Sequence, residues 1–373
     1  MRSSRPLRTG TTTITTTTSE NVASTGSHEP VVAVDANGAD LGPAEVAAGA
    51  ALAASQGARV LLFGPAAELG VAPAGVEIVD APVSIAKAPD PVGAARVTRD
   101  ASIVLATKAV AEGRADALVC AGGTGAALAA GTFNIKRDHG IYRPALALPL
   151  PVPGHPVTLL DVGASAEARR EHLVQFAFMG AALARIVLGV TRPRVGLLSN
   201  GEEAARGSQL VVETGAELRE RAANGLEAFE FVGNVEGGDI VNGRADVVVT
   251  DGFTGNVTLK VLEGTSQTIL GAIRSAATSS TRGRLGGLLL RSSLGGLRAE
   301  IDPESAGGAY LLGLRRLGVV PHGRFSRQGF AQAIMRARLG ARADIVGQTH
   351  EALERAGALR RPPASATDAR LRR

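Results

Sequence analysis

The sequence predicts an α/β protein, an α/β/α sandwich built on a mostly parallel sheet. Three observations carry that expectation. From residue 31 onward short apolar runs alternate with helix-compatible segments, as repeated βα units require. The apolar positions are filled largely by Ala, Val, Leu and Gly, with no Trp and 3% aromatics, which suits strands covered on both faces. The runs also end in loops of Gly, Asp, Ser, Thr and Asn, where a strand hands over to a helix.

Taken in chain order, Val31 to Asp35 is an apolar run ending in a carboxylate and followed by Asn37-Gly38, a buried strand feeding a loop. Pro at a first turn and the Ala-rich stretch after it predict a helix over Pro43 to Ser55. Arg59 to Gly64 is a strand, Ser102 to Glu112 a helix, Ala117 to Cys120 a strand and Gly125 to Phe133 a helix. Further strands are expected over Val157 to Val162, Arg194 to Ser199, Phe229 to Val232 and Ala245 to Thr250. Residues 1–29, with a Thr run broken only by Ile14, are too polar and repetitive to specify packing, and the basic stretch 355–373 is similar; both are expected to be disordered. One domain over residues 30–354 remains.

Composition narrows the function classes. The two Tyr and nine Phe do not cluster with basic residues, so base stacking and a nucleic-acid partner are not expected. Cys120 is the only cysteine, which excludes an intrachain disulfide and fits a reducing cytoplasm. His139, His155, His172 and His322 lack ligand spacing, so no metal is expected. Neither a Walker A loop nor the G-x-G-x-x-G fingerprint is present, which leaves ATP and NAD unsupported and no cofactor expected. The net charge of +5 favours acidic partners, although part of it lies in terminal arginines. No uninterrupted apolar run reaches the roughly eighteen residues of a spanning helix, and the N-terminus lacks the apolar segment of a secretory signal.

Ligands of open α/β sheets collect at the carboxyl ends of strands. Five loops are placed there: Asp35 to Gly38, Ala121 to Gly125, Asp161 to Ser165, Ser199 to Glu203 and Asp251 to Asn256. Gly122 to Gly125 ahead of a helix offers backbone N–H groups and the positive end of a helix dipole, and Thr124 adds a hydroxyl; together they suit a phosphate oxygen.

These loops resemble those of the acyl-ACP:phosphate acyltransferases of bacterial phospholipid synthesis, the PlsX family. The similarity spans about Val31 to Leu353 and is densest over Asp100 to Gly131, Asp161 to Gln175, Pro193 to Glu203, Phe231 to Asp239 and Ala245 to Gly264. It implies a fold similar to the isocitrate and isopropylmalate dehydrogenases and a homodimer docked peripherally on the inner face of the cell membrane. The implied partners are acyl carrier protein, inorganic phosphate and a downstream membrane acyltransferase that uses the acyl phosphate. Within the resemblance, Asn200, Arg206, Asp251, Asn256 and Lys260 are candidates for the chemistry. Asp35, Asn37, Gly38, Gly122, Gly123, Thr124, Gly125, Asp161, Gly163, Ser165, Ser199, Thr254 and Gly255 are candidates for phosphate and substrate binding. The three aspartates equally suit helix caps, and Cys120 reads as buried filler.

Departures from the family pattern concentrate at these loops. Asn37 stands where the family has an apolar residue, Gly123 and Ser165 where it has Asn, and Ala204-Ala205-Arg206 where it has a lysine pair. They keep two alternatives open: a phosphotransacetylase-type enzyme using acyl-CoA, and a non-catalytic paralogue that binds carrier protein or membrane. Arg282 to Arg298 places Leu285, Leu288 and Leu289 on one helical stripe among arginines, a membrane contact or a dimer segment.

Overall fold

Val32, Ala33 and Val34 are fully buried, as a strand covered on both faces must be, and the rest of the sheet grows outward from them. The computed structural model describes residues 28–224 and 228–360. The strands are β1 (Val31–Asp35), β2 (Arg59–Gly64), β3 (Val76–Asp80), β4 (Ala117–Cys120), β5 (Ala145–Leu150), β6 (Val157–Leu160), β7 (Arg194–Leu198), β8 (Glu230–Val235), β9 (Val247–Val249), β10 (Ala309–Leu312) and β11 (Leu317–Val320). The helices are α1 (Pro43–Ser55), α2 (Ala66–Leu69), α3 (Pro91–Val97), α4 (Ser102–Ala111), α5 (Thr124–Asn134), α6 (Arg170–Leu183), α7 (Gln209–Ala223), α8 (Asp239–Asn242), α9 (Gly252–Thr278), α10 (Thr281–Glu300), α11 (Pro303–Ala306), α12 (Arg327–Arg342) and α13 (Ile345–Arg355). A π-helical turn, Ala184–Leu188, continues α6. Every element expected from the sequence is present, with ends shifted by a few residues, but β3, β5, β10 and β11 were not anticipated.

The strands join one sheet in the order β3-β2-β1-β4-β11-β10-β5-β6-β9-β7-β8. Strand direction changes at its centre. β3, β2, β1, β4 and β11 run parallel, β10 is antiparallel to both β11 and β5, and β5 is antiparallel to β6, which begins a second parallel set with β9, β7 and β8. The carboxyl ends of the two sets therefore point to opposite edges. A sheet twists by about 20–25° per strand, so the four steps from β4 to β6 rotate the second set by roughly a right angle and turn its loops toward those of the first.

Helices cover both faces. On one, α1, α6, α12 and α13 pack over alternate strand residues; on the other lie α4, α5 and the start of α9. The scarcity of aromatics is matched by close helix approach: a Cβ on Gly49 of α1 would stand 2.7 Å from Phe330 Cβ of α12, beside fully buried Ala50 and Ala53. Arg170–Leu188 is long and apolar enough to cross a membrane, yet 67% of its apolar window is buried against the sheet; it is the central helix of the core.

The packed chain extends slightly beyond the domain limits expected from the sequence. Glu29 pairs with Arg338 and His28 with Asp116. At the other end Ala358 is buried, its carbonyl accepts from Gln175 Nε2 at 2.9 Å, and Arg360 N–H donates to Gly140 O at 2.8 Å. The rest of both expected tails lies outside the described residues. Only Gly252, Gly255 and Leu259 of α9 are buried, and α10 follows after two residues, so much of this helix pair stands off the sheet.

Tyr310 in β10 is fully buried, and its hydroxyl has no hydrogen-bond partner among the described residues. Burial pushes this phenol up to about 12. An unpaired buried hydroxyl costs more than it returns, so Tyr310→Phe is expected to raise stability by about 1 kcal/mol in urea unfolding. A loss of that size would instead mean that the hydroxyl holds a buried water.

Candidate functional site

The first group of loops leaves β1, β4 and β11. Asp35 closes β1 with its carboxylate buried: Oδ1 accepts from Ser102 Oγ at 2.6 Å and the Asn37 backbone N–H at 3.1 Å, and Oδ2 from the Cys120 thiol at 3.5 Å. Burial raises this carboxyl to about 6, against the opposing pull of its three donors. The Asn37 amide donates to Ala81 O at 3.1 Å and Ser102 Oγ at 2.9 Å. Burial and the adjacent Asp35 carboxylate push the Cys120 thiol well up, so it remains a neutral donor and is unsuited to nucleophilic attack.

Three backbone turns interlock above this carboxylate. Gly38 (φ +120°) and Gly122 (φ +81°) occupy the left-handed region, and a Cβ on Gly122 would lie 2.8 Å from Gly38 O and 2.9 Å from Gly323 Cα. Asp40 N–H donates to Gly323 O at 2.8 Å. The turns end at the start of α5, where Thr124 and Gly125 are exposed and the N-cap, Gly123, has no side-chain capping bond. An eleven-residue helix thus presents its first-turn amides uncapped, with the dipole's positive end favouring an anion.

The second group leaves β6, β7 and β9. The Asp161 carboxylate accepts from Leu146 N–H (3.0 Å), Gly163 N–H (3.1 Å), Ala164 N–H (2.9 Å), Ser165 N–H (2.9 Å) and Ser165 Oγ (2.7 Å). Any side chain on Gly255 would collide with the Asp161 carbonyl, so the first turn of α9 fits only against this loop. Asp251 caps α9, accepting from Thr254 N–H at 2.9 Å and Thr254 Oγ1 at 2.7 Å. A cavity of about 430 Å³ lies beside them, with Ser199, Asn200, Asp251 and Thr254 at its polar side and Leu173, Leu210 and Val211 at its apolar side. Asn256 approaches Gly163, 3.9 Å from where a Cβ would stand.

Helix α9 connects the groups. It begins at the second and carries Lys260 and Glu263, paired at 2.8 Å, into the electrostatic surroundings of His322 in the first. His322 Nδ1 accepts the Arg324 N–H at 3.2 Å, which leaves Nε2 to carry the proton of the neutral ring. Burial, then Arg324 and Lys260, hold this imidazole below its usual range, while Glu263 and Asp40 oppose them. Arg206 stays exposed, its Nε 3.6 Å from Glu203, while its carbonyl accepts from Asn234 Nδ2 at 3.2 Å.

Several expected ligand contacts are spent within the protein. Asn37 and Ser165 bond internally, Asp251 and Thr254 satisfy each other, and Ser199 Oγ accepts from Asn234 Nδ2 at 3.5 Å. The departures from the family pattern acquire reasons: the Asn37 amide braces Ser102, and a Cβ on Gly123 would press within 3.2 Å of Ala86. Sequence reasoning did not place Ser102 or Asp40 at the site, and it weighed His322 only as a metal ligand. A buried serine opening an apolar helix was the available signal for Ser102; the other two depend on loops meeting across the fold.

The family model described as "Fatty acid synthesis protein" matches residues 31–347. The phosphate acyltransferase of Streptococcus pneumoniae (strain ATCC 700669 / Spain 23F-1) is 42% identical over 325 residues, covering 85% of this chain and 97% of that protein. The phosphate acyltransferase of Streptococcus equi subsp. zooepidemicus (strain MGCS10565) is 41% identical, covering 86% and 96%. Among solved structures, a phosphotransacetylase from Streptococcus pyogenes superposes with a TM-score of 0.55 at 17% identity, covering 83% of this chain and 93% of its own. The EutD phosphotransacetylase from Staphylococcus aureus gives 0.54 at 16%, covering 84% and 94%. At these identities the structural matches establish a shared fold.

Asp35 also makes a prediction about stability. Its carboxyl is raised from 3.8 to about 6, so between those values the folded state binds more protons than the unfolded one and stability falls as pH rises. The loss is complete above about 6 and amounts to roughly 3 kcal/mol. Unfolding titrations at pH 4 and pH 7 are expected to show this fall, and Asp35→Asn is expected to remove that component.

Proposed function

Because the chain belongs to the phosphate acyltransferase family, we propose that it forms acyl phosphate from fatty acyl carrier protein and inorganic phosphate, feeding phospholipid synthesis. The observation that carries this reading is 42% identity to a phosphate acyltransferase over 97% of that protein's length. A phosphate oxygen attacks the thioester carbon, the carbonyl oxygen takes up negative charge, and the tetrahedral intermediate collapses with cleavage of the C–S bond. The carrier's thiolate leaves and takes a proton from solvent, while the new C–O bond remains as acyl phosphate.

Such chemistry depends on holding an anion against a carbonyl and on fixed donors for the oxyanion. The uncapped start of α5, with Gly122 to Gly125 and the Thr124 hydroxyl, suits the phosphate. Lys260, carried across on α9, supplies positive charge. Asn200 lines a cavity whose apolar side suits methylenes, and Asn256, on the first turn of α9 against Gly163, is a second amide that could serve the acyl group. Asp35, Asp161 and Asp251 hold these loops in shape, and Arg206 attracts the carrier rather than touching the reacting atoms.

The exposed leucines of α10, Leu285 (62%), Leu288 (64%) and Leu289 (76%), suit peripheral docking on a membrane inner surface, close to the downstream acyltransferase that consumes the product. The exposed Val261, Ile269 and Ile273 of α9 suit a second copy in a homodimer.

The test mixes purified protein with palmitoyl carrier protein and phosphate, following free thiol and trapping acyl phosphate as the hydroxamate. Phosphate-dependent formation of both is expected, and a reaction with palmitoyl-CoA but not with the carrier would move the assignment to an acyl-CoA enzyme. Thr124→Val is expected to lower kcat/KM by about tenfold or more, the value of a hydrogen bond to a charged group; an unchanged rate would remove Thr124 from the phosphate site. Replacing Leu285, Leu288 and Leu289 with Glu is expected to abolish sedimentation with anionic vesicles while leaving turnover of soluble acyl carrier protein intact.

A further inference from the structure

Between the π-helical turn after α6, α7 and α13 lies a cavity of about 950 Å³ that is lined by none of the candidate site residues. Its charged lining is not self-satisfied. Glu217 is held by Arg170 at 3.0 Å and Arg221 at 2.8 Å, which closes one wall. Arg185, projecting from the π-helical turn, has no ion pair among the described residues, and its Nε is buried without a hydrogen-bond partner. Burial, then the charge of Arg355, holds this guanidinium below its usual range; among the described residues Arg355 pairs with Glu351 alone, at 3.9 Å on the surface. Arg185 and Arg355 face one cavity and, among the described residues, neither pairs with Glu213, Glu217 or Glu220, the carboxylates that also line it; that leaves a place for a multiply charged anion, and the planar fork of Arg suits phosphate oxygens.

The rest of the lining narrows the ligand. Glu220 and Asn224 stand at the same cavity; a carboxylate repels phosphate but accepts hydroxyl protons, and an amide can do either. Among the described residues no aromatic side chain lines it, so a nucleobase would gain no stacking from them. We propose that this cavity binds a phosphorylated polyol, its phosphate between Arg185 and Arg355 and its hydroxyls on Glu220 and Asn224. A volume of this size is at the upper end of small-molecule sites and admits a sugar phosphate.

Isothermal titration of the full chain with glucose 6-phosphate tests this. One molecule is expected to bind per chain, with glucose and inorganic phosphate each weaker at this site, and Arg185→Gln and Arg355→Gln are each expected to weaken binding about tenfold or more. Arg355 is 75% exposed, so its replacement leaves the fold intact, and Arg355→Gln is expected to form acyl phosphate with an unchanged KM for phosphate. Absence of binding up to ~10 mM, binding that Arg355→Gln leaves unaltered, or binding no tighter than that of inorganic phosphate would each overturn the proposal, and none would bear on the transferase assay.

Discussion

Asp161 gathers five donors onto one buried carboxylate, and the second half of the molecule is arranged around that bond set. Leu146 N–H belongs to β5, the strand at which the sheet reverses, while the other four donors belong to the loop entering α6. The Asp161 backbone makes two further connections: its N–H donates to Thr250 O at 3.1 Å, and its carbonyl is packed so closely by α9 that only glycine fits at 255. One residue thus sets the reversal strand, the core helix and the origin of the helix that links the two groups of loops. Removing its carboxylate would leave several buried N–H groups without an acceptor.

Asp35 plays the corresponding part in the first half with fewer partners. Its burial is opposed by a hydroxyl, one backbone amide and a thiol, which leaves the carboxyl raised and makes the first loop costlier to hold than a neutral one. The cost is local to the turns that lead to the uncapped start of α5. The two N-termini differ for the same reason: α9 spends its dipole on Asp251, whereas α5 keeps its own for a ligand.

Glycine and hydroxyl residues at the ends of apolar runs identified the loops, but residue type alone does not tell a free donor from a spent one. Asn37, Ser165 and Thr254 all carry groups that could reach phosphate, and all are bound inside the protein. The partners of Asn37, Ala81 and Ser102, are remote in sequence, whereas Ser165 and Thr254 turn back on Asp161 and Asp251 within their own loops. The missed strands have a similar explanation. β5 contains Pro149, which weakens a strand reading, and β10 runs into β11 with no helix between them, so the βα alternation that marks the other strands is missing there.

By itself the sequence determined the α/β class, the buried parallel runs and the five loops at strand ends, because these depend on local polarity and turn chemistry. It also carried the family resemblance, which rests on the residues of those loops. Tertiary structure alone decided which loops meet. The antiparallel pairs at β10 and β5 reverse the sheet, the accumulated twist turns the two sets of loops toward one another, and α9 brings Lys260 near His322. These outcomes arise from pairings between residues far apart in the chain, and no local pattern of side chains encodes them.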